Sequence, residues 1–296
     1  MRYMQPSTAK EAATLLNKEK GKAFVLAGGT DLLVKMKAGM VEPDLVVDIK
    51  AIKGIKEIKK TASGFTIGAA VPCAALSENK DLVKTWPGVV EAAGLIGSKQ
   101  VQGRCTMAGN LCNASPAADS VPALMAAGAK VVVTGPKASR KLAVEDVPAG
   151  VGRTHLKKGE FITAIELPKK AARSGDAYLR FIPRTEMDIA VVSCGVNLTL
   201  DTKGVITHAR VALGAVAVTA LMVKEAAIAI IGTKLDDAAK AKLAAACSAA
   251  CKPIDDKRGT VAFRTEVAGV LARRAAETAY ARAGGNNGSS CSNHCE

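Results

Sequence analysis

The sequence predicts an α+β protein in which two small α/β units are followed by an antiparallel sheet and a group of helices. Three observations support this fold class. Short apolar runs alternate with helical segments over the first 176 residues, a hairpin signal follows, and three helical patterns fill most of the remainder. At 296 residues the chain can bury a sizeable core and divide into two or three units.

The first predicted unit, residues 1–54, contains a capped helix followed by strand, turn, helix and strand. Thr8 and Glu11 form a capping-box pattern, which predicts the start of a helix. A short β-type run then ends at the Gly28-Gly29 pair, where the chain is expected to turn. The remaining predicted elements are a strand over residues 22–27, a helix over 31–38 and a buried strand over 44–49.

The second predicted unit, residues 55–176, also mixes strands and helices. Its predicted strands are 55–60, 65–69, 129–134 and 161–167, and its predicted helices are 72–78, 88–96 and a short helix from Pro122. The stretch 169–176 is polar and contains helix breakers and small residues. It is therefore the predicted boundary with the third unit.

The third predicted unit, residues 177–282, begins with a hairpin and ends with helices. Apolar runs at 190–200 and 205–213 flank the turn sequence Asp201-Thr202-Lys203-Gly204, which is typical of a β-hairpin. Helices are predicted at 223–231, 236–251 and 259–283. Residues 283–296 are rich in Gly, Asn and Ser and are predicted to form a flexible tail that contains cysteine.

The charge balance argues against nucleic acid as a partner, although the chain is basic. The formal charge is +14, from 41 Lys and Arg against 27 Asp and Glu. The lysines are scattered, with one local cluster at residues 50–60, and aromatic residues make up only 3%. A solvated surface, or one complementary to an acidic partner subunit or cofactor, is the better interpretation. The absence of a signal-peptide core and of a long uncharged apolar run predicts a cytoplasmic protein without a membrane span.

The eight cysteines are predicted to be reduced thiols rather than a disulfide framework. Cys73, Cys194 and Cys247 lie in apolar contexts and are interpreted as core residues. The tail residues Cys291, His294 and Cys295 could supply three ligands of a metal site, but a fourth would have to come from elsewhere. A flexible tail is the preferred interpretation, and no metal site is predicted.

The first of two glycine-rich segments runs Val25-Leu26-Ala27-Gly28-Gly29-Thr30-Asp31-Leu32. A strand that turns at two glycines into a helix leaves amide groups free at the helix start, where the helix dipole also favours a phosphate. Thr30 can add a hydroxyl, whereas Asp31 would repel a phosphate and is expected to cap backbone amides instead. Neither the dinucleotide fingerprint nor the P-loop pattern is present, so a tight structural turn is equally well supported here.

The second segment, Thr106-Met107-Ala108-Gly109-Asn110, favours a ligand between the two. Two small residues between polar side chains allow the backbone to pass close to a bound group. Ser115 and Asp119 follow, four residues apart, and would share a face if that turn is helical. Asp119 is a suitable acceptor for ribose-like or ribityl hydroxyls, and helix capping by these two residues is the alternative. One elongated polyanionic cofactor is the predicted ligand.

Side chains for acid–base or nucleophilic catalysis are scarce. His155, His208 and His294 are the three histidines, and neither a Ser-His-Asp pattern nor paired carboxylates surround them. No catalytic residue is therefore predicted. Chemistry is expected to come from a bound cofactor, with the protein supplying position and electrostatics.

These segments together resemble the FAD-binding medium subunit of molybdenum hydroxylases, a group that includes carbon monoxide, xanthine and nicotinate dehydrogenases. The resemblance rests on the two glycine segments, on Ala114-Ser115-Pro116-Ala117-Ala118-Asp119, and on Arg184-Thr185-Glu186-Met187-Asp188-Ile189-Ala190-Val191-Val192-Ser193. It covers about residues 1–282. It implies a vanillyl-alcohol-oxidase-like (PCMH-type) FAD-binding fold of two α/β subdomains with a C-terminal antiparallel sheet and helix bundle.

The resemblance also implies roles for individual residues. Residues 25–32 and 106–110 would hold the FAD pyrophosphate, Asp119 would bind the ribityl region with Ser115 beside it, and further positions would line the flavin: Gly97, Ile162 and Arg180. The chain departs from the family pattern in two places. Gln100-Val101-Gln102-Gly103 replaces Gln-Ile-Arg-Asn, and Ala108-Gly109 replaces a pair of glycines. Because alanine adds only a methyl group, FAD binding is expected to survive.

The function implied by the resemblance is electron transfer within a larger oxidoreductase. The partners would be a large molybdenum-cofactor subunit and a small 2Fe-2S subunit, assembled as a dimer of heterotrimers. Electrons would pass from iron–sulfur clusters through FAD to NAD or another acceptor. A scaffold subunit without cofactor and a stand-alone flavin oxidase remain as alternatives.

Overall fold

In the computed structural model, which describes residues 1–285, the first unit is a small parallel sheet with short helices. Its strands are β1 (Arg2–Met4), β2 (Ala23–Leu26) and β3 (Leu45–Asp48), and its helices are α1 (Ala9–Lys18) and α2 (Leu32–Lys37). The sheet order is β1-β3-β2, with both pairs parallel. The predicted helix start is present, since Thr8 Oγ1 accepts from the Glu11 N–H at 3.2 Å, while the Glu11 side chain accepts from the Ser7 N–H at 3.0 Å rather than from Thr8.

Strand β1 was not predicted, and its residues explain why. All three of its residues are exposed, so no apolar pattern distinguishes the segment in the sequence. The strand forms because its backbone pairs with the buried strand β3, with Tyr3 opposite Val46. A nonlocal partner thus decides its conformation.

The second unit is built around a five-stranded antiparallel sheet. The strands of this unit are β4 (Ile58–Thr61), β5 (Gly64–Gly68), β6 (Lys130–Thr134), β7 (Ser139–Ala143), β8 (Pro148–Gly150), β9 (Arg153–Thr154) and β10 (Phe161–Pro168). The order in the sheet is β4-β5-β10-β6-β7, and β8 and β9 form a separate two-stranded ribbon. The helices between β5 and β6 are α3 (Cys73–Glu78), α4 (Lys80–Thr85), α5 (Pro87–Gly94), α6 (Lys99–Gln102), α7 (Met107–Cys112) and α8 (Ser120–Ala126). The predicted strands and helices of this region are all found, with ends shifted by at most three residues.

The third unit contains an antiparallel sheet covered by three helices. Its elements are β11 (Ser174–Phe181), β12 (Val192–Leu200), β13 (Ile206–Gly214), β14 (Leu221–Met222), α9 (Lys224–Ile230), α10 (Asp237–Ala250) and α11 (Val261–Arg282). The predicted hairpin is confirmed, because β12 and β13 pair antiparallel with Val196 opposite Val211. Among residues 1–285, none of the helices combines the length and the apolar character needed to cross a membrane.

Strand β11 begins at Ser174 and so includes the end of the polar stretch 169–176, which was the predicted boundary. Asp176 is 3% exposed and is satisfied by tertiary partners rather than by water. Its carboxylate forms an ion pair with Lys170 and accepts from the Val89 N–H at 3.3 Å, at the start of α5. Because its charge is paired, the buried Asp176 can lie within a strand, although the polar sequence around it resembles a loop.

Two apolar cores lie inside these layers. One joins the first two sheets with α1, α3, α5 and α8, and the other lies between the C-terminal sheet and α9–α11. The two cores meet where α8 crosses β12. A Cβ atom at Gly195 would lie only 2.6 Å from the Pro122 carbonyl oxygen, so the helix can approach the sheet only over a glycine. The segment that follows the second glycine motif is therefore fixed against the C-terminal sheet.

Candidate cofactor-binding site

The first glycine segment forms a turn that opens the amide end of α2. Strand β2 ends at Leu26, Gly29 adopts a φ of +81°, and the first helical hydrogen bond runs from the Leu33 N–H to the Gly29 carbonyl at 3.0 Å. Among the described residues, the N–H groups of residues 28–32 donate to no protein acceptor. Five consecutive amides are thus free at a helix start, which is a favourable place for an anion.

The second segment presents another helix start. Thr106 caps α7, because its Oγ1 accepts from the Gly109 N–H at 2.9 Å. Within residues 1–285, the N–H groups of residues 106–108 donate to no protein acceptor. The Asn110 side chain already has partners within the protein. Its Oδ1 accepts from the Ser120 N–H at 3.2 Å and from the Ser120 hydroxyl at 2.7 Å.

The two segments are in direct contact. A Cβ atom at Gly28 would lie 2.1 Å from the Arg104 carbonyl oxygen and 2.9 Å from the Cys105 Cα. Only glycine permits this approach, because carbon and oxygen atoms ordinarily stay about 3.3 Å or more apart. The turn at Gly28 therefore lies directly against the chain that leads into Thr106.

One cavity of about 400 Å³ opens beside this contact and is lined by both segments. Its size is within the range typical of small-molecule and cofactor sites. The predicted site residues that line it are Val25, Ala27, Gly28, Gly29, Thr30, Asp31, Leu32, Thr106, Ala108, Gly109, Asn110 and Ile162.

The other predicted site residues lie outside the lining of this cavity. Leu26 and Met107 are buried in the apolar interior, with 9% and 2% exposure. Gly97 follows the lining residue Ile96 and has a φ of +61°. Those further along the chain are Ser115, Asp119 and Arg180.

The expectation that Asp31 caps backbone amides is wrong. Its backbone is already in the helical region, at φ −100° and ψ −49°, and its side chain forms no cap hydrogen bond. The carboxylate instead accepts from Asn113 Nδ2 at 3.1 Å, and Asn113 Oδ1 accepts from Lys35 Nζ at 2.6 Å. Burial raises the pKa of Asp31, and Lys35 opposes that rise.

Ser115 and Asp119 would share a face only if the turn between them were helical, and that condition is not met. The segment between them is a turn, in which the Ala118 N–H donates to the Ser115 carbonyl at 3.1 Å. The Ser115 hydroxyl accepts from the Ala117 N–H at 3.3 Å, within the same turn. Helix α8 starts only at Ser120, so the two side chains have no common helical register.

Asp119 forms a buried cluster with β11 instead of capping α8. Its Oδ1 accepts from the Tyr178 hydroxyl at 3.0 Å and its Oδ2 from Arg180 Nη1 at 2.9 Å. The Asp119 side chain makes no cap hydrogen bond to α8, so the capping alternative is contradicted for this residue. Burial raises the pKa of Asp119, while Arg180 and Tyr178 counteract that rise.

Several lining residues were not predicted from the sequence. Lys35 lies one helical turn after Asp31, a spacing that could have placed it at the same site. Thr154 and Glu160 come from the chain between β8 and β10, where no motif marks them. Glu160 is held by Arg140, with Nε to Oε1 at 2.9 Å, and this hydrogen bond lowers the pKa of the Glu160 carboxyl.

Three cysteines within residues 1–285 were predicted to be core residues. Cys73, Cys194 and Cys247 are buried, at 2%, 0% and 0% exposure, as predicted for core residues. Burial raises the pKa of the Cys247 thiol to about 12. Residues 1–285 hold no group of three ligands suited to a metal, and the Cys291/His294/Cys295 tail lies outside the described residues.

Two family matches cover almost the whole of this architecture. Residues 1–170 match the FAD binding domain in molybdopterin dehydrogenase, and residues 177–279 match the CO dehydrogenase flavoprotein C-terminal domain. The chain belongs to this family of FAD-binding subunits of molybdenum hydroxylases. The resemblance inferred from the glycine segments is confirmed, and with it FAD as the cofactor and a subunit of an FAD-dependent oxidoreductase as the class of protein.

Members of the FAD-binding subunit family are similar to this chain over nearly its full length. It is 35% identical to the carbon monoxide dehydrogenase medium chain of Afipia carboxidovorans, over 95% of this chain and 97% of the relative. It is 28% identical to the nicotinate dehydrogenase FAD-subunit of Eubacterium barkeri, over 79% and 80%. A chain of the reconstituted CO dehydrogenase from Oligotropha carboxidovorans superposes with a TM-score of 0.91 at 34% identity, covering 95% of this chain and 98% of that one. The predicted α+β flavoprotein fold is thus confirmed.

The residues of this FAD-binding subunit fit the cofactor assigned to its family. FAD carries a diphosphate, and the free amides of residues 28–32 and 106–108 supply hydrogen-bond donors at two adjoining helix starts. A side chain at position 28 would collide with the neighbouring segment. Ala108 lies in α7 and is 5% exposed, so its methyl group is packed within the protein although the residue lines the cavity.

Proposed function

We propose that this chain is the electron-transfer subunit of a multi-subunit molybdenum hydroxylase. In this proposal, electrons arrive from iron–sulfur clusters of a small partner subunit and leave to NAD or another acceptor. When bound, FAD supplies the redox chemistry. The chain's own residues bind and orient the cofactor and exclude water from it.

The observation that carries the proposal is a cavity bordered by free amides at two adjoining helix starts, with no catalytic set of side chains around it among the described residues. The amides of residues 28–32 and 106–108 would bind the phosphates, and Thr106 keeps its helix start in place through the Gly109 N–H. Ile162, 4% exposed in β10, would provide an apolar wall. Asp119 would accept hydrogen bonds from ribityl hydroxyls, with Arg180 holding its charge.

The proposed partners are a large molybdenum-cofactor subunit and a small 2Fe-2S subunit, in a dimer of heterotrimers. The names of the relatives support this, since one is the medium chain of a carbon monoxide dehydrogenase and another the FAD-subunit of a nicotinate dehydrogenase. The formal charge of +14 favours acidic partner surfaces. A cytoplasmic location is part of the same proposal, supported by the six cysteines within residues 1–285, which are all free thiols.

The first experiment measures FAD binding by the purified chain. Wild type is expected to retain FAD and to rebind it after removal, whereas Asp119→Ala is expected to bind it more weakly. Asp176→Ala is the matched control, because Asp176 is also buried and paired to a cation but contacts Lys170 and the start of α5 instead of preceding α8 beside the second glycine segment. A scaffold subunit would show no FAD uptake, and equal affinity of wild type and Asp119→Ala would contradict the role of Asp119.

The second experiment distinguishes a relay from a stand-alone oxidase. The isolated, FAD-loaded chain is mixed with organic substrates and its flavin absorbance is followed, with and without co-purified partner subunits. Reduction that requires the partners supports the proposal. Reduction of the isolated chain by an organic substrate would favour an oxidase, and mass spectrometry of the co-purifying subunits tests the proposed assembly directly.

A further inference from the structure

The carboxylate of Asp119 is held between two parts of the molecule that are far apart in sequence. Its two oxygens accept from Tyr178 and Arg180, which lie 59 and 61 residues further along the chain on β11. Asp119 is 7% exposed and Tyr178 is 2% exposed, so water competes little with these bonds. The C-terminal sheet thus sets the position of a residue that precedes α8.

The next residue continues this contact to the cavity. Ser120 donates both its N–H and its hydroxyl to Asn110 Oδ1, and Asn110 lines the cavity. The start of α8 is consequently held from both sides, by β11 at Asp119 and by α7 at Ser120. An unbroken chain of hydrogen bonds and backbone joins Tyr178 to the second glycine segment.

The side chains that influence the protonation of Asp119 lie on β11. Among the described residues, the charged or titratable groups that act on Asp119 are Arg180 and Tyr178, whereas the adjoining Ser120 bonds the neutral side chain of Asn110. Burial favours the neutral acid and both donors favour the carboxylate. Each donor occupies one oxygen, and a carboxylate has about four lone-pair sites, so acceptor capacity remains for a ligand.

We propose that Tyr178 is a positioning residue for FAD, whose hydroxyl keeps the Asp119 carboxylate ionised and oriented as an acceptor for ribityl hydroxyls. This inference rests on the function proposed above. Neither Tyr178 nor Asp119 lines the cavity; Tyr178 acts through the Asp119 carboxylate that it contacts, and Asp119 adjoins Ser120, which bonds the lining residue Asn110. It also makes the C-terminal sheet part of the cofactor site, although the FAD-binding domain match ends at residue 170.

Tyr178→Phe tests this role through the pH dependence of FAD affinity. The dissociation constant of FAD is measured by quenching of flavin fluorescence over a series from neutral to acid pH, because the pKa of Asp119, which burial raises and which Arg180 and Tyr178 lower, determines where the carboxylate is protonated. Wild-type affinity falls at the acid end as Asp119 is protonated. Because loss of the tyrosine hydroxyl raises the pKa of Asp119, the midpoint of this fall is expected to move up by about one pH unit, a tenfold change in the protonation equilibrium.

Tyr280→Phe is the matched control. Tyr280 is also 2% exposed in the C-terminal unit, and its hydroxyl donates to the Gly204 carbonyl at 2.7 Å rather than to a carboxylate. Its removal is expected to lower the melting temperature without moving the pH midpoint. Asp119→Asn provides a second check, because asparagine has no carboxyl group to titrate. In the double variant Asp119→Asn/Tyr178→Phe, FAD affinity is expected to be independent of pH over the same range.

The outcomes separate this inference from the proposed function. Failure of wild type to bind FAD at any pH overturns the proposed function. If wild type binds FAD and folded Tyr178→Phe has an unchanged midpoint, the positioning role is refuted and the proposed function stands. A loss of affinity that is equal at every pH also refutes it, since that result indicates a structural effect alone.

Discussion

Replacing Gly28 with alanine tests whether the two glycine segments form one binding site through their direct contact. The added Cβ would lie 2.1 Å from the Arg104 carbonyl oxygen and 2.9 Å from the Cys105 Cα. An ordinary carbon–oxygen contact is about 3.3–3.6 Å, so the segments would have to separate by more than about 1 Å. Both contacts are to backbone, which cannot rotate away as a flexible side chain can.

The expected cost follows from this displacement. Overpacking of a well-packed site costs about 1–3 kcal/mol. If that cost falls on the FAD-bound state, the dissociation constant rises by about 5- to 150-fold, since about 1.4 kcal/mol corresponds to a factor of ten. The amides of residues 28–32 would move with the turn, away from those of residues 106–108.

The assay is FAD titration of the apoprotein, together with a thermal unfolding curve for each variant. Gly94→Ala is the control, because no atom lies within 4 Å of a Cβ built there and its φ is not in the left-handed region. That variant is expected to bind FAD as wild type does. A folded Gly28→Ala variant with wild-type FAD affinity would refute the conclusion that this close approach is needed.

Two further predictions concern the stability of the site and its surroundings. Thr106→Ala is expected to lower the free energy of unfolding by about 0.5–2 kcal/mol, because the Gly109 N–H loses its cap, and Thr106→Ser should retain most of it in denaturant titrations. Arg140→Gln is expected to reduce the loss of unfolding free energy that occurs between neutral and acid pH. Arg140 lowers the folded-state pKa of Glu160, so their pair stabilises the protein above the unfolded carboxyl pKa of about 4.3 and is lost as pH falls through the folded value. The effect should be about 0.2–1 kcal/mol, measured as the difference in unfolding free energy between neutral and acid pH, and equal acid sensitivity in both proteins would contradict it.

Much of the fold follows from local patterns that can be seen in the sequence. The capping-box pattern at Thr8, the hairpin signal at residues 201–204 and the strand that ends just before Gly28 each depend on neighbours a few residues away. Such patterns determine element type because they act through backbone hydrogen bonds and alternating burial. The exposed strand β1 was missed because its partner β3 is more than forty residues away.

By itself, the sequence determined the α+β class, the two glycine segments and, through their resemblance to a family, FAD as the cofactor. Only the tertiary structure decided which hydrogen-bond partners the Asp31 and Asp119 carboxylates have. Asp31 is joined to Asn113 across 82 residues, and Asp119 to Tyr178 across 59, in place of the local caps that their positions suggested. The physical reason is that a buried carboxylate must find hydrogen-bond donors, and folding brings distant donors closer to it than the amides of its own helix.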